Sequence, residues 1–144
     1  MYNYTFFYGS ALVRLIHDSQ TYGIKLVMDN NCYLINEKSY IYMKHCTKRL
    51  SPWSFTFSPE HIAEITNLYN EHKNIFVVLI CNDDGICCLD FDELSQVIYF
   101  GTTNISKSIR VSRSPREKYA VSGTDGKLSH KIGDNEFPKK VLNI

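Results

Sequence analysis

The chain is predicted to be an α/β (α+β) protein: a mixed sheet on an αβββαβ core, followed by a C-terminal β-hairpin. Three observations carry that prediction. A continuous β-branched apolar run, Ile75-Phe-Val-Val-Leu-Ile80, is the signature of a strand buried on both faces. The segment Ser58-Pro59-Glu60 directly before it opens a helix. Three short apolar segments upstream are separated only by turn residues.

In chain order, residues 9–19 carry Leu12, Leu15 and Ile16 at helical spacing, with Ser10 near the expected start. Segments 24–28 and 32–35 flank Asp29-Asn30-Asn31, residues that tolerate left-handed turn geometry, and so form a hairpin. A second break at Asn36-Glu37-Lys38 leads to a third strand over 39–46. Residues 47–57, with Pro52, Trp53, Phe55 and Phe57, read as a loop. The helix from 59 to about His72 has Ser58 as N-cap, Pro59 at its first position and Glu60 complementing the positive helix end; Ile62, Ile65, Leu68 and Tyr69 form its apolar stripe. After the buried strand at 75–81, Asn82-Asp83-Asp84-Gly85 turns into a return strand at 86–89. Asp90, with Glu93 three residues on, makes a capping box for a short helix over 91–99. Beyond it, Ile109, Val111, Tyr119 and Val121 alternate, and Gly123-Thr-Asp125-Gly126 turns the chain back through Leu128 and Ile132, giving antiparallel strands that cover one side. Strand 39–46, helix 59–72 and strand 75–81 make a βαβ unit, expected to be right-handed. Its ligand would lie beyond the strand ends, around 44–49 and 81–90.

At 144 residues the chain is read as a single domain, 1–144, large enough for a continuous core without metal or disulfide staples. An apolar fraction of 44% and a charged fraction of 22% are those of an ordinary globular protein. Five cysteines, an odd count, argue against a disulfide framework. The start of the chain, Met1 to Phe7, has neither the basic head nor the cleavage site of a signal peptide, and no apolar run reaches membrane-spanning length. A cytoplasmic, reduced location and no membrane partner are therefore expected. Charge is unevenly distributed: residues 1–101 hold seven Lys/Arg against eleven Asp/Glu, and residues 102–144 hold nine against four. A basic C-terminal third suits phosphates or an acidic protein face, and equally suits a solvated hairpin.

The order α-β-β-β-α-β over residues 9–81, together with Lys44 on the third strand, resembles the core of the PD-(D/E)XK, or restriction-endonuclease-like, nuclease superfamily. In that family an acid on the second strand and an acid-x-Lys on the third hold a divalent metal against phosphate while the Lys activates water. The resemblance gives Lys44 the lysine place. Its period-2 partner is Tyr42, no metal ligand, and Asn36 is a weak substitute for the second-strand acid. Asp29 and Glu37 fall in turns, and the first helix offers Arg14 and His17-Asp18 where many members carry Glu. The resemblance thus implies a non-catalytic relative that binds nucleic acid or a nucleic-acid-processing protein, with no cofactor. The enzymatic alternative is a metal-dependent nuclease using Mg²⁺ with Lys44 and Asp29, Asn36 or Glu37, aided by Asp90. A third reading is a small inhibitor or accessory subunit of a larger machine.

Two basic segments are candidate contacts for nucleic acid or a partner. Lys48 and Arg49 with Trp53 mix cations and an aromatic ring; the competing reading makes Trp53 a core anchor, which is preferred for Phe55 and Phe57. Lys107, Arg110, Arg113, Arg116 and Lys118 follow, with Arg113-Ser-Pro-Arg116 at a turn that displays guanidinium groups or simply solvates them. Cys81, Cys87 and Cys88 lack zinc-site spacing and read as buried strand residues. His45 and Cys46 are neighbours on a strand, face opposite ways, and cannot act as base and nucleophile.

Overall fold

A computed structural model describes residues 3–71, 74–102 and 104–144. The elements run α1 (Asn3–Ile16), β1 (Ile24–Met28), β2 (Cys32–Ile35), β3 (Ser39–Cys46), β4 (Trp53–Phe57), α2 (Pro59–Tyr69), β5 (Asn74–Cys81), β6 (Gly85–Asp90), α3 (Phe91–Val97), β7 (Lys107–Ser112), β8 (Ala120–Gly123), β9 (Gly126–Lys127) and α4 (Lys139–Leu142). The expected α+β class holds. Strands assemble into a five-stranded mixed sheet, β1-β2-β3-β5-β6, and a four-stranded antiparallel sheet, β4-β7-β8-β9.

In the larger sheet β3 and β5 are parallel, in register from Ser39↔Asn74 to Cys46↔Cys81. β1-β2-β3 form the expected meander, and β6 returns antiparallel to β5. The turns work as their residues require: Asp29 (φ 50°), Asn36 (φ 52°), Glu37 (φ 58°) and Asn82 (φ 50°) all lie in the left-handed region. Alternation sorts the core onto two sides. Tyr40, Tyr42, Ile75, Val77 and Leu79 face α2, α3 and the second sheet, whereas Ile41, Met43, Phe76, Val78 and Ile80 face α1, Phe137 and Val141. Cys81, Cys87 and Cys88 are fully buried, as expected.

Four sequence expectations are corrected. The first helix starts at Asn3 and ends at Ile16, so Ser10 lies inside it and its hydroxyl donates to the Phe7 carbonyl instead of capping. Residues 53–57 are a strand, not a loop: Trp53, Phe55 and Phe57 point inward while Ser54 and Thr56 point out, and β4 pairs with β7. The C-terminal strands are therefore part of a second sheet that β4 completes. α2 stops at Tyr69, where Asn70 caps it; the expected end at His72 lies outside the described residues. α3 stops at Val97. Both predicted capping boxes form, with Ser58 and His61 on α2 and Asp90 and Glu93 on α3. Among the described residues no helix is long and apolar enough to cross a membrane.

Candidate nucleic-acid interface and the Lys44 cavity

Two places gather polar side chains: the outward face of the second sheet, and a cavity beside Lys44. On the sheet, residues directly opposite one another share a face. Register aligns Ser54, Arg110, Ser122 and Lys127 in one row across β4, β7, β8 and β9. A neighbouring row pairs Thr56 with Ser108, and a third pairs Ser112 with Ala120. Every outward position on these four strands is hydroxyl-bearing, cationic or Ala; none is Asp or Glu. Arg110 and Lys127 are exposed, two strands or about 10 Å apart.

At one end of this face two predicted basic segments meet. The Arg113 backbone N–H donates to Ser51 Oγ at 3.1 Å, tying the 113–118 loop to the 47–52 loop. Lys48, Arg49, Arg116 and Lys118 are all exposed there. Arg116 is held outward by a left-handed backbone at φ 67°. Glu117, Asp83 and Asp84 are the exposed acids at this end among the described residues.

Lys107, Arg113 and Trp53 do not serve as the free contacts the sequence suggested: Lys107 is buried and donates to Asp125 Oδ2 at 2.7 Å. Arg113 Nε meets Asp84 Oδ2 at 2.8 Å, its guanidinium lies over Tyr119 at 4.3 Å, and Nη2 donates to the Asp84 carbonyl at 2.9 Å. Tyr119 OH donates to the same Asp84 oxygen at 2.7 Å. Its phenol pKa is pushed up, first by burial and then by that hydrogen bond. The cluster welds the β5–β6 turn to the second sheet. Trp53 is 1% exposed, packs edge-on against Tyr119, and donates its indole N–H to the Lys48 carbonyl at 2.8 Å. Its ring is unavailable to stack on a base and instead holds the Lys48–Arg49 loop in place.

The residues of the nuclease alternative are dispersed. Asp29 and Glu37 flank opposite ends of β2. The Asn36 carboxamide oxygen accepts from the N–H groups of Tyr22 and Gly23, and its NH₂ donates to the Gln20 carbonyl. That side chain is consumed in fastening the chain ahead of β1. Asp90 sits opposite Phe76, far along β5 from the residues beside Lys44, and caps α3 by accepting from Glu93 N at 2.8 Å. Arg14 and Asp18 pair with Asp134 and Lys139. Among the described residues no three His, Cys, Asp or Glu converge closely enough to hold a metal ion.

Lys44 and Asp29 do share a cavity of about 540 Å³, whose other walls come from the 29–31 turn, β3 and the start of α2. Sequence reasoning missed the α2 contributors, Glu60, His61 and Glu64. Lys44 Nζ donates to the Thr56 carbonyl, lies 2.9 Å from His61 Nδ1, and sits 4.5 Å above the Phe57 ring. Burial pushes the Lys44 pKa down to about 8, outweighing the opposing field of Glu64. The His61 pKa is also lowered, by burial and then by Lys44. Glu64 is engaged elsewhere, accepting from Tyr42 OH at 2.6 Å. On the opposite sheet face His45 stacks on Phe7 and contacts Tyr8 OH at 3.1 Å, so it and Cys46 are separated by the sheet. Comparison with protein families, curated proteins and solved structures finds no match, and function has to be argued from these two sites.

Proposed function

We propose that the chain is a nucleic-acid-binding module on a nuclease-like core that does no metal-dependent cleavage. The observation that carries this reading is the acid-free row Ser54-Arg110-Ser122-Lys127, flanked at one end by Lys48, Arg49, Arg116 and Lys118. Cations and hydroxyls on a flat face match a phosphate backbone, to which such groups donate hydrogen bonds without reading sequence. Rings able to stack on bases are missing from the outward strand positions, so binding should depend on backbone charge rather than base identity. Leaving aside β4, which is inserted between β3 and α2 and joins the second sheet, the order α1-β1-β2-β3-α2-β5, with β1, β3 and β5 running one way and β2 reversed, supports kinship to the PD-(D/E)XK core. The dispersal of Asp29, Asn36 and Glu37 supports a non-catalytic member and lends nothing to the Mg²⁺ alternative.

Fluorescence anisotropy with labelled single- and double-stranded DNA and RNA tests this. Binding should weaken steeply with salt, and Arg110→Ala with Lys127→Ala should reduce the slope of log K against log salt by roughly 1.4–1.8, two phosphate contacts' worth. An unchanged slope in the double variant, or no binding at low salt, would defeat the proposal. A second reading, an accessory subunit docking on another protein, draws on α1. Phe6, Val13 and Ile16 form an exposed apolar stripe opposite the helix's core face, 60%, 48% and 63% exposed. A stoichiometric protein complex, lost on Ile16→Asp in a chain without nucleic-acid affinity, would favour it.

A further inference from the structure

We propose that the Lys44 cavity is a covalent carbonyl site, in which the Lys44 amine condenses with a small uncharged aldehyde or ketone to form an imine. Such a site is independent of nucleic-acid binding and follows from the geometry of one nitrogen. A neutral amine has two N–H bonds and one lone pair. Lys44 has one acceptor in the Thr56 carbonyl and a second in His61 Nδ1, at 2.9 Å. With both N–H bonds committed and the stem running back to β3, the lone pair takes the remaining tetrahedral direction, and Lys44 is itself part of the cavity wall.

The neighbours keep that amine from being locked as a cation. The charged and titratable groups facing it are Tyr42 on β3, Glu60, His61 and Glu64 on α2, Asp29 on the turn and Tyr8 on α1. The nearest natural partner, Glu64, is occupied by Tyr42 OH. The Phe57 ring favours the cation, but burial prevails and brings the pKa to about 8. Near neutral pH about a tenth of such amines are unprotonated, against fewer than about one in a thousand for an ordinary lysine. This is the desolvated-lysine route to a nucleophile.

His61 completes the step. Its Nδ1 also accepts from Ser58 N–H at 3.3 Å, so the lone pair lies at Nδ1 and the ring proton at Nε2. Lys44 Nζ attacks the carbonyl carbon. The carbonyl π electrons move to oxygen, and a proton from solvent makes it a hydroxyl. Nζ passes a proton to His61, which returns it to that hydroxyl as it departs as water, leaving a protonated C=N bond that gives its remaining N–H proton back to solvent. One amine and one carbonyl give one imine and one water, with no oxidant or reductant. The three carboxylates of the wall, Asp29, Glu60 and Glu64, disfavour an anionic substrate and select an uncharged one.

The test is reductive trapping on the full chain near neutral pH, using butanal or anionic glyoxylate with cyanoborohydride, followed by peptide mass mapping. Lys44 should be modified by butanal at least tenfold faster than exposed Lys38 and Lys48, and by glyoxylate more slowly than by butanal. His61→Gln keeps an acceptor at the third helical position and so preserves the cap, but it cannot carry the proton. Its melting temperature should stay close to that of the parent while Lys44 trapping slows about tenfold or more. Butanal trapping at Lys44 no faster than at Lys38 and Lys48 would overturn the site. Equal trapping in His61→Gln would remove His61 from the step, and glyoxylate reacting as fast as butanal would overturn the substrate class.

Discussion

The two covers of the central sheet are fastened by different physics. On one side the second sheet and α2 are held by apolar mass: Trp53, Phe55, Phe57 and Ile65 are at most 1% exposed. On the other side α1 and the C-terminal segment also bury Phe7, Leu15, Phe137 and Val141, but charges secure them at the rim. Arg14 pairs with Asp134 at 3.0 Å, Lys139 with Asp18 at 3.3 Å, and Lys140 with both Glu93 at 2.8 Å and Glu136 at 3.0 Å. Asp134 also accepts from Ile86 N–H, so the C-terminal segment closes the open edge of β6. Apolar packing is indifferent to protonation, whereas ion pairs are not, and the second sheet carries only Arg113–Asp84 and Lys107–Asp125 beside its apolar mass among the described residues. The proposed binding face lies outside the apolar cover, so acid should loosen the far side first and reach the face later, through Lys107–Asp125 and Arg113–Asp84.

The largest effect comes from breaking the apolar cover. Trp53→Ala removes the buried plug between Lys48 and Tyr119 and should cost about 3–5 kcal/mol in urea unfolding. A loss under about 1 kcal/mol would mean the second sheet is held by something other than this packing. Glu93→Gln attacks the ionic fastening of the C-terminal segment, together with the α3 cap. Glu93 accepts from Lys140, from His130 Nε2 at 2.6 Å and from Asp90 N–H at 3.0 Å, so the neutral isostere should cost about 2 kcal/mol. Hydrogen exchange should quicken in 134–142 and stay unchanged in 53–57; equal quickening in both would erase the distinction between the covers.

The smallest effect sharpens the comparison without mutation. Burial raises the Glu93 carboxyl pKa, but hydrogen bonds from Lys140, Asp90 N–H and His130 more than offset it and hold the pKa below its ordinary value. The unfolded chain therefore binds that proton more readily than the folded one. The stabilisation is complete above the usual carboxylate range and fades as pH falls through it. Lys140, despite burial that lowers it, is raised by the hydrogen bonds of Glu93 and Glu136. Its contribution is present below the usual lysine range and is lost only in alkali. Mild acid should thus speed exchange in 134–142 before 107–123, as followed by mass spectrometry at stepped pH. The reverse order would contradict the ionic reading of this cover.

What could be read from the chain was whatever short-range chemistry decides. Ser58-Pro59 and Asp90-x-x-Glu93 bring their own hydrogen-bond partners, and both helix starts form as expected. The apolar run at 75–80 needs burial on both faces, which places β5 inside the sheet beside β3. β4 was harder to see. Trp53, Phe55 and Phe57 alternate as a strand must, but the segment has no turn-linked partner: Phe57 pairs with Lys107, fifty residues on. The same distance hid the fate of Arg113, whose partner Asp84 lies across a turn of a different sheet.

The sequence by itself determined the α+β class, the turns and caps, the parallel β3–β5 pair and the location of most cations, because propensity, periodicity and capping act within a few residues. Only the tertiary structure decided which cations remain free, that Arg110 and Lys127 share an acid-free row, and that Lys44 meets His61 in a cavity. Those outcomes depend on strand register and on how a helix lies across a sheet. Both are settled when the whole core packs, by contacts between residues that no local pattern connects.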